Sequence, residues 1–170
     1  GLSADPDPGT RAVRRDPRRP RGSLLTRYFD ASALVKRYVR EPGAVSVRRL
    51  LKADPAAASR LSEVEVASAL VRRAREGAFT VEERDRALAS LAGDFATLII
   101  VEFTPEITAD ARALLLRHRL RAGDAVQLAS CLYLQRELRQ PLPFVACDGR
   151  LAEAARHEGL TLVPVPKRRT

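Results

Sequence analysis

The amino-acid sequence predicts an α/β fold, a three-layer α/β/α domain built on a mostly parallel central sheet. Short apolar runs of strand length alternate along the chain with longer segments whose apolar residues recur at helical spacing. Strands that alternate with helices favour right-handed crossovers, which cover both faces of a parallel sheet with helices. At 170 residues the chain is long enough for one such domain with a single core.

The predicted domain spans residues 27–165 and is flanked by two basic tails. Residues 1–26 are rich in Pro, Gly, Asp and Arg and lack apolar periodicity, so we expect a disordered tail or an added extension. Residues 166–170 are predicted to be a short basic C-terminal tail. The absence of Met, even at position 1, suggests processing, a tag or an unusual start.

The first half of the domain contains two predicted strands and three predicted helices. Residues 27–29 form a short strand, and residues 32–39 form a helix that stops before a proline. A glycine opens a second helix over 43–51, and the alanine-rich segment 56–59 allows a short strand. A third helix spans 61–75 and closes at a glycine.

The second half is predicted to alternate helices and strands as far as a final edge strand. Its helices cover 80–94, 105–120, a segment that opens at 123, and 151–158. Its strands cover 97–103, 144–147 and 161–165. Thr80-x-x-Glu83 matches a capping box at the start of the first of these helices. Pro164 indicates an edge position for the last strand, because proline cannot donate to a ladder.

The charge balance favours a polyanionic partner. The chain carries 30 Lys and Arg residues against 21 Asp and Glu residues, a formal net charge of +9. Such an excess is typical of proteins that contact nucleic acid, although a solvated Arg-rich surface is the alternative. Only 5% of the residues are aromatic and none is Trp, which argues against a platform of exposed rings that stack on bases.

Cysteine usage and hydropathy indicate the cellular setting. Cys131 and Cys147 match neither a C-x-x-C site nor the disulfide framework of a secreted protein, so reduced, buried thiols are expected. The first 26 residues lack the apolar stretch of a signal peptide. No apolar run approaches the roughly 20 residues needed to span a bilayer. We therefore expect a cytoplasmic protein without a membrane partner.

Four acidic residues stand where predicted strands and helices meet. Asp30 and Asp148 each follow a predicted strand directly, and Glu65 and Asp124 are expected in the first turns of helices. In an open parallel sheet, the ligand crevice lies beyond the carboxyl ends of the strands. The sequence therefore predicts that Asp30 and Asp148 emerge at the same rim of the sheet, which the N-termini of the helices that carry Glu65 and Asp124 could share.

Helix capping is the competing interpretation of each acid taken alone. Asp is a favoured N-cap residue, and all four acids occur near a predicted helix start. Ser62-x-x-Glu65 also matches a capping box, in which Glu65 would bond the Ser62 backbone N–H rather than a metal. For each single residue, both interpretations remain open.

As a group, the acids indicate a divalent metal site. Converging carboxylates repel one another and raise some of their pKa values unless a cation compensates the charge. Mg²⁺ and Mn²⁺ take oxygen ligands, keep several waters and share their shell with substrate phosphate. Such an ion suits cleavage of a phosphodiester bond, and the expected cofactor is Mg²⁺ or Mn²⁺.

Other catalytic chemistries lack their residues in this sequence. His118 and His157 lie near predicted helix C-termini, where interaction with the helix dipole is the simpler role. Neither forms a zinc-type cluster with a cysteine. A P-loop and a G-x-G-x-x-G loop are both absent from the sequence, so a nucleotide cofactor would lack its phosphate cradle.

Four segments carry a resemblance to a known family. They are residues 28–36, 59–70, 120–129 and 144–155, which contain in order Asp30, Glu65, Asp124 and Asp148. Over Arg27 to about Val165, the chain resembles the PIN-domain nucleases, and most closely the VapC toxins of bacterial toxin–antitoxin pairs. The resemblance implies a metal-dependent endoribonuclease with these four catalytic, metal-binding acids. It also implies a homodimer and inhibition by a small cognate antitoxin.

The resemblance extends to residues beside the acids. Ser32 corresponds to the family's polar residue next to the first acid, so it is expected to support the site or to cap the helix. Glu63 and Glu65 compete for the second acidic position, and the family motif, with its acid three residues after Ser or Thr, selects Glu65. Helical projection agrees, because Glu65 falls near Ser68 and Arg72. Whether Glu63 contributes is left open.

Basic residues close in sequence to the acids are candidates for contact with RNA phosphates. They are Lys36, Arg37, Arg60, Arg121 and Arg150. A solvated surface is the alternative for each, because spacing along the chain does not fix the direction of a side chain. The predicted function is hydrolysis of RNA by the toxin of a toxin–antitoxin pair. The alternatives are an RNA-processing or DNA-cleaving PIN nuclease that is not a toxin, and a non-catalytic PIN-like module that binds RNA or protein.

Overall fold

The computed structural model describes Val13–Arg14 and residues 25–166, in which a five-stranded sheet forms the middle layer. The strands are β1 (Val13–Arg14), β2 (Arg27–Phe29), β3 (Ala56–Ser59), β4 (Ile99–Val101) and β5 (Phe144–Val145). Their order across the sheet is β1-β4-β3-β2-β5. Strands β4, β3, β2 and β5 run parallel, whereas β1 lies antiparallel to β4. The predicted mostly parallel sheet is confirmed.

Seven helices in the described part of the chain cover the two faces of the sheet. They are α1 (Ala31–Val35), α2 (Ala44–Ala53), α3 (Leu61–Arg75), α4 (Val81–Ala96), α5 (Pro105–Arg117), α6 (Ala122–Leu138) and α7 (Gly149–His157). Adjacent strand residues enter different cores. Tyr28 and Val101 pack with α5, α6 and α7, while Phe29 and Ile100 pack with α1 to α4. This alternation, which follows from the two-residue period of a strand, gives the predicted three layers.

Local sequence signals account for several helix boundaries. Thr80 caps α4 in a complete capping box, since its hydroxyl accepts from the Glu83 N–H at 3.1 Å and the Glu83 carboxylate accepts from the Thr80 N–H at 2.9 Å. Helix α5 begins with Pro105, at a position where no N–H is needed. The predicted helix over 61–75 has the bounds of α3.

Several predicted elements are longer than the observed ones. The predictions 32–39, 97–103, 105–120 and 144–147 correspond to α1, β4, α5 and β5, each of which is shorter. The predicted edge strand over 161–165 is reduced to a single bridge between Leu162 and Phe144. Pro164 lacks the N–H that would extend the ladder beyond this bridge.

The predicted tails lie largely outside the described residues. At Val13–Arg14, the structure departs from the disordered segment expected over 1–26, because these residues form β1 opposite Ile100 and Val101. The reason is pairing with a distant segment: β1 supplies backbone partners to the edge of β4. Of the predicted tail over 166–170, only Pro166 is described, so this part stays a prediction.

The carboxyl ends of the parallel strands bring distant parts of the chain together. Strand β2 leads directly into Asp30 at the start of α1, and the segment after β5 leads into Asp148 at the start of α7. Helices α3 and α6 contact each other beside these two turns. None of the helices in the described ranges combines the length and apolarity needed to cross a membrane.

Candidate functional site

A cleft of about 780 Å³ lies at this rim of the sheet. The start of α1, the middle of α3, the start of α6 and the turn before α7 all contribute to its walls. Its lining includes the four acids expected at the site and their polar neighbour: Asp30, Glu65, Asp124, Asp148 and Ser32. The fold thus brings together side chains from four separate segments.

Asp30 is the most deeply buried of the four acids, at 3% exposure. Its Oδ1 accepts from the Ala33 N–H at 2.8 Å and so caps α1, while its Oδ2 accepts from the Ser32 hydroxyl at 2.7 Å. Burial raises the pKa of Asp30 to about 7, against the lowering effect of these two hydrogen bonds. The neighbouring charges of Asp124 and Glu65 contribute smaller parts of this rise.

Ser32 links Asp30 to the segment that follows β5. Its hydroxyl donates to Asp30 Oδ2 and accepts from the Cys147 N–H at 3.2 Å. The alternative that Ser32 caps the helix is wrong, because Asp30 occupies the cap position of α1. The serine therefore holds the Asp30 carboxylate between two strand ends.

Glu65 lies in the second turn of α3, not in the first turn as expected. The Ser62-x-x-Glu65 capping box does not form, because Ser62 is the second residue of the helix and its hydroxyl bonds Gln127. Glu65 Oε2 accepts from the Gln127 amide at 2.6 Å. Burial raises the pKa of Glu65, the bond from Gln127 lowers it, and the charge of Asp124 raises it.

Asp124 occupies the first turn of α6, as the sequence predicts. Burial raises its pKa and the charge of Asp148 adds to the rise, while a backbone hydrogen bond from Arg121 and the charges of Arg121 and Arg150 lower it. The preceding residue is Gly123, where a Cβ atom would overlap Glu65 Oε1. A glycine here is what lets the Glu65 carboxylate approach α6.

Asp148 is the N-cap of α7, as the competing interpretation predicts. Its Oδ1 accepts from the backbone N–H groups of Arg150 at 2.9 Å and Leu151 at 3.0 Å. Capping is therefore observed at both Asp30 and Asp148. It does not preclude a second role, because an ionised carboxylate has roughly four lone-pair sites and a cap uses one or two of them.

The donor set fits a hydrated divalent cation better than a closed metal shell. Among residues 25–166, no three acidic, histidine or cysteine side chains stand at the mutual spacing of a preformed metal site. Mg²⁺ is usually bound by only one or two carboxylates and keeps several waters. Burial is the main cause that raises the pKa values of Asp30, Glu65 and Asp124, and the charge of a neighbouring acid adds to each rise.

Three of the basic residues expected to contact phosphate lie at or near the cleft. Lys36 and Arg121 line it. The charge of Arg150 lowers the pKa of Asp124, which places Arg150 within electrostatic range of the acids. Their contact with RNA phosphates stays a prediction.

The structure places Arg37 and Arg60 elsewhere, which corrects the prediction for these two residues. Arg37 donates to Asp94 through Nε at 2.9 Å and Nη2 at 2.5 Å. Arg60 donates to Glu102 at 2.8 Å and 3.0 Å, and to Glu63 at 3.0 Å. Neither arginine lines the cleft, and Glu63 is not among its lining residues. The ion pair with Arg60 accounts for the position of Glu63.

Arg72 and Arg73 also line the cleft. The sequence analysis did not name these two arginines as candidates for phosphate contact. A signal existed for Arg72, because helical projection places it on the same face as Glu65. Arg73 and Lys36 both pair with Glu41, at 2.6 Å and 2.7 Å. Glu41 thus neutralises part of the positive charge at this end of the cleft.

The histidines lie away from the cleft, and one cysteine lines it. His118 follows α5 with Nε2 2.6 Å from Glu158 Oε1, and His157 ends α7 with an exposed ring. Both cysteines are free: Cys131 is buried as expected, but Cys147 is only half-buried and lines the cleft. Burial and the charge of Asp30 raise the pKa of Cys147 to about 11, so its thiol is neutral at physiological pH.

Comparison with known proteins places the chain in a family. A family model described as the PIN domain matches residues 27–157. Ribonuclease VapC45 from Mycobacterium tuberculosis (strain CDC 1551 / Oshkosh) is 39% identical over 106 residues, which cover 62% of this chain and 74% of that protein.

Solved structures share the fold at low sequence identity. VapBC2 from Rickettsia felis, bound to a DNA fragment from its promoter, matches with a TM-score of 0.56 and 14% identity, over 82% of this chain and 98% of the other. A toxin-antitoxin complex from Klebsiella pneumoniae matches with a TM-score of 0.50 and 21% identity, over 74% of this chain and 90% of the other. The family model covers most of the chain and the fold agrees with it, so the chain belongs to the PIN-domain family.

Proposed function

We propose that this protein is a metal-dependent endoribonuclease that acts as the toxin of a toxin–antitoxin pair. The observation that carries the proposal is the convergence of four carboxylates, from four separate segments, in one cleft of a PIN-domain fold. A divalent cation bound by these acids would offset their charge at the place where a nucleic-acid phosphate would react. Divalent-metal hydrolysis of a phosphodiester bond fits this arrangement.

Sequence relatives support RNA as the substrate. The relative VapC45, 39% identical to this chain, is named a ribonuclease. The net charge of +9 also favours a polyanion over a small neutral substrate. The product of the reaction would be RNA with one internal phosphodiester bond hydrolysed.

Asp30, Glu65 and Asp124 are the residues that would hold a hydrated Mg²⁺ or Mn²⁺, in part through the waters that the ion keeps, and Asp148 would complete or tune the shell. When bound, the ion supplies positive charge to a phosphate oxygen and lowers the pKa of water. Asp30 is fixed by the hydroxyl of Ser32 and by the helix it caps, so its free lone pairs have a set direction. This rigidity favours binding, because little side-chain freedom is lost.

Basic side chains around the acids are proposed to bind the RNA backbone. Arg121 and Lys36 line the cleft on the sides of α6 and α1, and Arg72 lines it on the side of α3. The positive charge of Arg150 lowers the pKa of Asp124, so Arg150 lies within electrostatic range of this acid. Contacts of this type position an RNA strand and carry no base specificity.

We further propose a cognate antitoxin, a homodimer and a cytoplasmic setting. The structural relatives from K. pneumoniae and R. felis are toxin-antitoxin and VapBC structures. Free Cys131 and Cys147 suit a reducing compartment. Analytical ultracentrifugation of the chain with and without its antitoxin would measure both assemblies; a monomer at micromolar concentration would contradict the homodimer.

The catalytic proposal is tested by replacing single acids. Asp30→Asn and Asp124→Asn should each reduce Mg²⁺-dependent cleavage of a labelled RNA by roughly 100-fold or more, because each removes a proposed ligand charge. Asp85→Asn, on the exposed surface of α4, is the matched control and should cleave like wild type. Full activity of the Asp30 and Asp124 variants, with contaminating nuclease excluded, would contradict the proposal.

The toxin proposal is tested in cells. Expression should arrest growth, and co-expression of a small neighbouring protein with a DNA-binding N-terminus should relieve the arrest. Cleavage of RNA without growth arrest would instead support an RNA-processing nuclease. RNA binding without cleavage would support a non-catalytic module, and preference for DNA would identify a DNA nuclease.

A further inference from the structure

A buried hydrogen-bond network lies beneath Glu65. Gln127, on α6, is 2% exposed, and its amide nitrogen donates to Glu65 Oε2 at 2.6 Å and to the Ser62 hydroxyl at 2.9 Å. Its carbonyl Oε1 accepts from the Tyr28 hydroxyl at 2.9 Å. Gln127 therefore uses both ends of its amide, and it does so at a nearly buried position in the wall of the cleft.

The chemistry of these partners sets the orientation of the amide. A carboxylate only accepts hydrogen bonds, so the nitrogen of Gln127 must face Glu65 and the oxygen must face the phenol of Tyr28. Reversing the amide would bring its oxygen against the carboxylate. Because Tyr28 belongs to β2, the network joins the central sheet to α6 and, through Glu65, to α3.

Gly123 leaves room for the other oxygen of the same carboxylate. Gly123 lies four residues before Gln127 on α6, and a Cβ atom there would overlap Glu65 Oε1. Glu65 therefore lies between an amide donor on one side and a bare Cα on the other. Asp124 comes from the same turn of α6 as Gly123, so this helix sets the position of Glu65 relative to Asp124.

We propose that Gln127 is the positioning residue for Glu65, and that it holds this carboxylate beside Asp124 so that both present oxygen atoms to one divalent cation. The inference rests on the proposed function. It adds to the proposed site one residue, Gln127, that is not an acid. Gln127 acts through Glu65, since both sides of its amide are occupied by protein partners. Groups that orient a metal-binding side chain in this way typically change metal affinity or activity by about 10- to 100-fold when removed.

The test measures Mn²⁺ affinity by isothermal titration calorimetry on the full chain, together with kcat and KM for one RNA substrate. Gln127→Leu should weaken Mn²⁺ binding by about 10-fold or more and lower kcat, with KM for RNA within about twofold of wild type. Gln135→Leu is the matched control, because Gln135 lies on the same helix and accepts from the Leu142 N–H at 3.0 Å outside the cleft. This control should leave Mn²⁺ affinity unchanged.

Two further variants keep the inference testable if Gln127→Leu does not fold. Gln127→Asn retains a polar amide but is shorter by one methylene, and Gly123→Ala displaces the same carboxylate from its other side. Each should weaken Mn²⁺ binding by about 10-fold. In a Glu65→Gln background, Gln127→Leu should change Mn²⁺ affinity by less than about twofold, because the residue through which it acts is already altered.

The outcomes separate the two proposals. A wild-type chain that binds Mn²⁺ and cleaves RNA, while the Gln127 and Gly123 variants behave like wild type, overturns the positioning role alone. An equal loss from Gln127→Leu in the presence and absence of the Glu65 change overturns it as well. A wild-type chain that neither binds Mn²⁺ nor cleaves RNA overturns the proposed function, and the positioning role falls with it.

Discussion

Replacing Asp30 with asparagine should stabilise the metal-free protein at about pH 8. Asp30 is 3% exposed, and burial is the main reason that its pKa rises from 3.8 to about 7. When the pKa of a group is higher in the folded chain than in the unfolded chain, the group contributes its full stability at a pH below its unfolded-state pKa. This contribution is lost as the pH rises through the folded-state pKa. The wild-type protein should therefore lose stability between about pH 4 and pH 7.

The size of the effect follows from the same pKa change. One pKa unit corresponds to about 1.4 kcal/mol, so a rise from 3.8 to about 7 sets an upper limit of about 4 kcal/mol. Local rearrangement and water entry reduce the cost of a buried charge, and asparagine keeps an oxygen that can accept from the Ala33 N–H. We expect a gain of about 1 to 3 kcal/mol, or roughly 3 to 10 °C in Tm.

Urea unfolding, followed by circular dichroism in the presence of EDTA, measures this gain. The difference between Asp30→Asn and wild type should be close to zero at about pH 4 and largest at about pH 8. Asp85→Asn, an exposed control on α4, should show no such trend. A variant that is less stable than wild type at pH 8, or a difference that does not change with pH, would refute the assignment of burial as the dominant cause.

Divalent metal should reverse the order of stability. A ligand that binds only the folded chain stabilises it by mass action. If Asp30 is a ligand, Mg²⁺ at a saturating concentration should raise the Tm of wild type by several degrees and that of Asp30→Asn much less. Equal stabilisation of both proteins would remove Asp30 from the proposed ligand set.

Three further predictions concern stability away from the cleft. Thr80→Ala removes the capping box of α4 and should lower the free energy of unfolding by about 1 kcal/mol in urea titrations; no loss would contradict the cap's contribution. Leu70→Ala, at a fully buried position, should cost about 2 to 5 kcal/mol in the same assay, and a loss below that range would indicate that the core collapses around the site. The Arg117 hydrogen bond lowers the pKa of Glu158, so Glu158 contributes stability above its usual value of 4.5 and loses it on acidification. Glu158→Gln should therefore be less stable than wild type at pH 7 and equal to it near pH 3, and a difference that persists at pH 3 would contradict this cause.

Elements with strong local signals could be predicted from the chain itself. The bounds of α3, the capping box at Thr80 and the proline at the start of α5 agree with the structure. These features depend on residues within one helical turn of each other, so the local sequence is enough to predict them. The convergence of Asp30 and Asp148 was also predictable, because parallel strands end at the same rim.

Weak or short elements were less predictable, because pairing partners set their length. The segment over 161–165 has strand composition, but the register with β5 allows one bridge, between Leu162 and Phe144. Val13–Arg14 lies in a segment without apolar periodicity and is a strand because the edge of β4 is available for pairing. Strand formation depends on such distant partners more than helix formation does.

The direction of side chains at the site required the packed structure. Spacing along the chain left Glu63 and Glu65 as competitors, and the packing of α3 directs Glu65 toward α6 while Glu63 pairs with Arg60. Gln127 gave no sequence signal, since one amide in an apolar helix resembles many others. Its importance lies in contacts with Tyr28 and Glu65, residues far away along the chain. Hydrophobic pattern was enough to place Asp30 and Asp148 at one rim, and the family motif selected Glu65, whereas the hydrogen-bond partners of the acids depend on distances that arise only when the layers pack.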